Sequence, residues 1–177
     1  MKTSVAALIT LSIVLTGCAA PGEMRLIRTE EYYNRIKSRA AVDPSKSGPQ
    51  LMASVRAGGR ANMAIEPDAK GCETFAEPLP DVLISVPQNG MNIKFTSLGT
   101  PLATIVLVTP DRQLSCSPKV SGFQIPELTA RNLRAGVYQL RIGMPRSLIE
   151  GYLGYGAAVH GDGKFTGNVQ VFAEVLK

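Results

Sequence analysis

The strongest constraint in this sequence is a two-residue hydrophobic period that recurs through its second half and is never replaced by a helical one. Val82, Ile84 and Val86 alternate along a short run, and Met91, Ile93 and Phe95 stand opposite Asn92, Lys94 and Thr96. Tyr138, Leu140 and Ile142 alternate with Gln139 and Arg141. The pattern returns at Leu153, Tyr155, Ala157 and Val159, and again at Val169, Val171, Ala173 and Val175. Successive side chains of a strand point to opposite faces, so each run predicts a strand with one buried face. Thr104 to Val108 is instead continuously apolar and mostly β-branched, which predicts a strand buried on both faces. Phe123 and Ile125 form a short edge candidate, where Pro126 limits pairing. Asn89-Gly90, Thr109-Pro110-Asp111 and His160-Gly161-Asp162-Gly163 are turn signals. No helical run of the length a doubly wound fold needs follows Cys72. The expectation is a mainly β chain, an antiparallel β-sandwich or jelly roll of about seven strands, preceded by a short N-terminal helix.

The first part of the chain differs in charge. From Met24 to Met63 there are eight basic residues against three acidic ones, whereas from Asp68 onward ten basic residues meet nine acidic ones. A helix is expected from Thr29 to Val42. Thr29 caps it, Glu30 and Glu31 favour its first turn, and Tyr33, Ile36 and Ala40 share a face. Asp43-Pro44 ends it, because proline cannot continue the hydrogen-bond ladder. Ser45 to Gln50 reads as a loop, and Ser54 to Glu66 as a hairpin around Gly58-Gly59 with Ala61, Met63 and Ile65 alternating. The expected organisation is residues 1–17 as a signal peptide, 18–67 as a basic segment with one helix, and 68–177 as the β-sandwich.

The signal reading rests on the first eighteen residues. Lys2 precedes an apolar run from Val5 to Leu15, too short for the roughly 20 residues that span a bilayer. The run closes on Leu15-Thr16-Gly17-Cys18, which resembles a bacterial lipobox. That resemblance implies cleavage before Cys18, a covalent lipid on the Cys18 thiol and acylation of the new amino terminus. Ala19, rather than Asp, follows the cysteine, so the resemblance implies the outer membrane, on its periplasmic face. One acyl chain holds a protein only marginally, but the three chains of a lipoprotein hold it stably.

With Cys18 lipidated, Cys72 and Cys116 remain of the three cysteines. In an oxidising compartment an even pair reads as a disulfide. A redox or metal pair is the alternative, but C-x-x-C spacing and accompanying histidines are both missing. A more local phrase runs from Leu133 to Ile142 as L-x-x-G-x-Y-x-L-x-I. Gly136 allows a tight entry into the strand, and Tyr138 can bury its ring while its hydroxyl finds a backbone partner. From Asp81 to about Gly143 the chain is similar in outline to bacterial pre-peptidase C-terminal (PPC-like) domains, which implies a jelly-roll module. It has no acidic cluster of the kind that would imply a calcium site.

Catalytic chemistry finds little support. His160 is the single imidazole, with Asp162 two residues on and Ser121 or Ser147 as conceivable nucleophiles, but no G-x-S-x-G elbow accompanies them. The turn reading of His160 to Gly163 is preferred. The glycines from 151 to 163 form neither a dinucleotide nor a P-loop pattern. The basic N-terminal segment reads as a solvated surface, as an attraction to anionic headgroups or as a dock for an acidic partner, with Arg35, Lys37 and Arg39 at its centre. Phe172 and Leu176 point away from the Val169–Val175 face, so they are either covered by the N-terminal segment or form an apolar patch for a partner. Tyr152 is the candidate platform if the ligand is a glycan or peptidoglycan, a reading weakened by the absence of tryptophan. The expected partners are therefore the membrane through the lipid anchor and an envelope protein, with peptidoglycan as the rival and nucleic acid excluded by compartment. No cofactor is expected. If the lipobox reading holds, Cys18→Ser moves the protein from the detergent-rich to the aqueous phase in Triton X-114 partitioning.

Overall fold

The computed structural model describes residues 36, 38–59, 61–63, 66, 72–100, 102–118, 124–145 and 164–177. These residues form eleven strands in two sheets. The four-stranded sheet runs β2 (Gln50–Gly58), β11 (Lys164–Leu176), β6 (Met91–Leu98), β9 (Glu127–Leu133), with every pair antiparallel. In the seven-stranded sheet β1 (Arg39–Ala41) pairs in parallel with β5 (Val82–Val86), which pairs antiparallel with the long β10 (Gly136–Pro145). β7 (Thr104–Val108) and then β8 (Leu114–Cys116) extend the sheet from β10. At the Met144–Pro145 end of β10, β4 (Thr74–Ala76) and β3 (Ala61–Asn62) add on.

The predicted alternation builds the main core. Ile93, Phe95, Val169, Val171 and Ala173 from one sheet meet Val82, Ile84, Leu140 and Ile142 from the other, all fully buried. Tyr138 closes one end of this core. Its ring is 2% exposed and its hydroxyl donates to the Arg134 carbonyl at 3.0 Å, the role expected of it. Gly136 enters β10 at φ 155°, and a Cβ there would stand 2.9 Å from Pro110 Cγ.

A second, smaller core lies on the other side of the seven-stranded sheet. Val106 and Val108 of β7 and Leu114 of β8 pack there against Ala61, Met63, Cys72 and Ala76, while Ile105 and Leu107 point into the main core. β7 is therefore buried on both faces, as its continuous apolar run predicts. Arg141 lies beside Val106 on the same outward side and is 0% exposed. Its Nε donates to the Glu77 carbonyl at 3.1 Å, and its Nη2 to the Pro78 carbonyl at 3.1 Å and to Gln139 Oε1 at 3.0 Å. The Cys72–Cys116 disulfide, with a Cα separation of 5.7 Å, ties the same covering segment to β8. The described residues from Ala61 to Pro78 thus form a cap over this sheet.

Several expectations change. The helix from Thr29 to Val42 fails at its C-terminal end. Arg39–Ala41 is a strand, with Arg39 and Ala41 exposed while Val42 is buried and Ala40 packs on the core, a period of two rather than of 3.6. The expected residues 29–35 lie outside the described set. Gly58-Gly59 does not make a hairpin. It carries the chain from β2 in one sheet to β3 in the other, with φ 94° and 154°, and a Cβ on Gly59 would lie 2.3 Å from the Ala76 carbonyl carbon. Ile125 precedes a strand rather than forming one, and β9 was not foreseen. The boundary drawn between residues 67 and 68 falls inside the sandwich, because β1, β2 and β3 pair with β5, β11 and β4. The expected strand from Leu153 to Val159 lies outside the described residues.

The disulfide closes 44 residues of chain. By chain-entropy arithmetic its loss costs roughly 4 kcal/mol. Urea unfolding with and without reductant measures it, and reduction should lower stability by about 2–4 kcal/mol.

Candidate interaction surface

The sequence-predicted site residues are dispersed. Cys18, Arg35, Lys37, Tyr152, His160, Ser121 and Ser147 lie outside the described residues. Arg39 is exposed on β1, at the edge of the seven-stranded sheet, whereas Phe172 sits mid-strand in β11 of the four-stranded sheet. The two do not share a face. Cys72 and Cys116 are joined as a disulfide.

Phe172 belongs to a group that the sequence reading only partly found. It is half-buried on the outward side of the four-stranded sheet, where β2 places Leu51 directly across from it and β6 places Thr96 on its other flank. Leu98 pairs with Gln170, which makes it the diagonal neighbour of Phe172, within reach of an aromatic side chain. Leu98 in turn shares a shallow depression with Ile125 and Pro126. Four large apolar side chains are exposed among the described residues; two of them, Leu51 at 55% and Leu98 at 38%, neighbour Phe172, and a third, Ile125 at 51%, lies beside Leu98. They form an apolar band from β2 to the start of β9.

Charged residues border the band. Lys94 Nζ and Glu174 Oε2 pair across β6 and β11 at 2.8 Å. The hydrogen bond and the charge of Glu174 raise the Lys94 pKa above its ordinary value. That pairing is therefore complete at neutral pH, and its alkaline limit is set by the raised lysine pKa. Arg56 on β2 and Glu127 and Thr129 on β9 are exposed around it. The two sheets are thus unlike outside: one carries the cap and its buried Arg141, and the other carries an exposed apolar band.

The signal for Leu98 was present in the sequence. In β6 the polar parity is Asn92, Lys94 and Thr96, and Leu98 breaks it with a large apolar residue. Leu51 falls between the expected loop and the expected hairpin, and Ile125 stands in an expected short edge strand, so neither carries a parity signal of this kind.

A second surface lies at the opposite end of β9. The turns Thr109–Gln113 and Arg131–Ala135 flank a groove of about 290 Å³ whose floor includes Leu133 and Tyr138. The Thr109 hydroxyl donates to the Asp111 carboxylate and holds its pKa below the ordinary value, with a further contribution from the Arg134 charge. Burial raises the Tyr138 pKa, which keeps its hydroxyl a donor. Among the described residues no three His, Cys, Asp or Glu side chains gather as a metal site.

No protein family and no curated protein matches the chain. Among solved structures it is similar to Aeromonas hydrophila PliG, a periplasmic lysozyme inhibitor of g-type lysozyme, with 7% identity and a TM-score of 0.40 over 78% of this chain and 96% of that one. So loose a superposition carries neither the inhibitor's fold nor its function across.

Proposed function

We propose that this chain is a lipid-anchored, non-enzymatic interaction module of the bacterial cell envelope. In this reading Cys18 holds it at the periplasmic face of the outer membrane, and the open face of the four-stranded sheet docks another envelope protein. The apolar band of Leu51, Phe172, Leu98 and Ile125 carries the reading. Contiguous exposed apolar side chains on a sheet face cost solubility unless something covers them. The lipobox resemblance supplies the address.

Scale agrees with a protein partner. Four strands about 4.8 Å apart and about seven residues long span roughly 20 by 24 Å, the order of one side of a small specific interface. The partner should present a complementary apolar patch, with charges at its rim that match Arg56 and Glu127. Binding energy should concentrate in the aromatic centre, Phe172, as it does at most interfaces.

The test places a photo-crosslinking amino acid at Leu51, at Leu98 and, as a control, at Lys46, whose side chain is 68% exposed in the β1–β2 loop. In living cells, Leu51 and Leu98 should yield the same discrete protein adduct and Lys46 should not. The double variant Leu51→Asp, Leu98→Asp should keep stability within about 0.5 kcal/mol, as exposed substitutions do, and lose the partner. Adducts of equal yield from Lys46, no protein adduct at all, or retention on insoluble peptidoglycan in its place, would overturn the reading.

A further inference from the structure

We propose that the groove between the Thr109–Gln113 and Arg131–Ala135 turns is a carboxylate-binding site that takes an acidic peptide segment. It lies at the far end of β9 from Ile125, roughly 20 Å along the strand, so it is separate from the apolar band.

Arg131 and Arg134 are exposed on one wall, and among the described residues neither has an ion-pair partner. The one acid in the groove, Asp111, accepts from the Thr109 hydroxyl and also feels the Arg134 charge, so it offsets one of the two arginines. Its lowered pKa keeps it ionised, yet the groove remains net positive. Guanidinium groups present planar forks of donors that match carboxylates.

Hydrogen bonds hold both walls of the groove in place. On one wall the Thr109 amide donates to the Gln113 carbonyl at 2.9 Å, and the Arg112 amide to the Thr109 carbonyl at 2.9 Å. On the other wall, Asn92 Oδ1 accepts from the Asn132 amide at 2.9 Å and Asn89 Oδ1 from the Ala135 amide at 2.7 Å. Among the described residues, Arg112 (φ 67°) and Asn132 (φ 52°) are the two non-glycine residues in the left-handed region, and they stand on the two turns that frame this groove. Such conformations gather where a local geometry is held for use.

The groove's lining and size favour a peptide over a sugar. Saccharide sites favour an exposed aromatic face, but the Tyr138 ring under this groove is 2% exposed. The volume of about 290 Å³ is at the low end for small-molecule sites, and it suits an acidic side chain with its backbone rather than a glycan chain. Leu133 and Pro110 offer apolar surface for the aliphatic part of a glutamate.

The test is calorimetric titration of the full mature chain in nonionic detergent with hexaglutamate. Saturable binding that weakens with salt is expected. The double variant Arg131→Gln, Arg134→Gln should bind about tenfold more weakly, while Lys46→Gln in the β1–β2 loop should leave binding unchanged. Reversing the charges with Arg131→Glu, Arg134→Glu should switch preference to hexalysine, a gain that a merely unfolded variant would not show. Absence of saturable binding, an equal loss in Lys46→Gln, or tighter binding of inorganic phosphate or a muropeptide than of hexaglutamate would overturn the proposal.

Discussion

A guanidinium sealed inside a sheet that would otherwise face water sets the terms for much of this fold. Arg141 is always charged, and in β10 its parity is the outward one, opposite Leu140 and Ile142. A buried charge is tolerated only when its donors are engaged. Here the acceptors come from the Glu77 and Pro78 carbonyls and from Gln139, so the cap that carries Glu77 and Pro78 cannot leave without stranding a cation and two carbonyls. Val106 and Val108 make the same demand in apolar terms, and the Cys72–Cys116 bond holds the cap covalently. Three unlike forces therefore converge on one layer.

The result is an asymmetric sandwich. Its seven-stranded side is closed by its own chain, and its four-stranded side keeps Leu51 and Leu98 at the surface beside Phe172, with Ile125 next to Leu98. On the function proposed above, the face that the chain leaves unfinished is the one that a partner covers. The groove at the opposite end of β9 adds a charged feature to that anatomy, with its 131–135 turn pinned through Asn89 and Asn92 to the start of β6. Anchoring by a lipid at Cys18 would confine such a module near a membrane and raise its effective concentration toward partners there.

Much of the fold was legible where burial is one-sided. Met91 to Phe95, Tyr138 to Ile142 and Val169 to Val175 announce their inner faces by alternation, and β7 announces its double burial by having none. Tyr138 was legible as a buried ring with a backbone partner for its hydroxyl, and the structure supplies the Arg134 carbonyl. Alternation also misled: it assigns Gln139 and Arg141 to solvent, because period two separates the faces but cannot say what covers the outer one. β1, β3, β4 and β8 are two or three residues long, too short to show a period at all. β9 was hidden by the bulge near its end, where Leu128, Ala130 and Leu133 face inward with unequal spacing. Of the candidate surface, Phe172 was found by parity, and Leu98 obeys the same rule. Leu51 and Ile125 join them only through pairing between distant strands, which no local pattern encodes.

Residue accessibility in the cell tests the central claim, that the open sheet face is covered by a partner there, most directly. Leu98→Cys would be labelled with a polar maleimide in osmotically permeabilised cells and again after purification in detergent, with Lys46→Cys as the control for reagent access. The account predicts that Cys at position 98 is shielded in cells and reactive once purified, while position 46 is reactive in both. Equal labelling of position 98 in both settings would contradict it, and would leave the apolar band as bare surface.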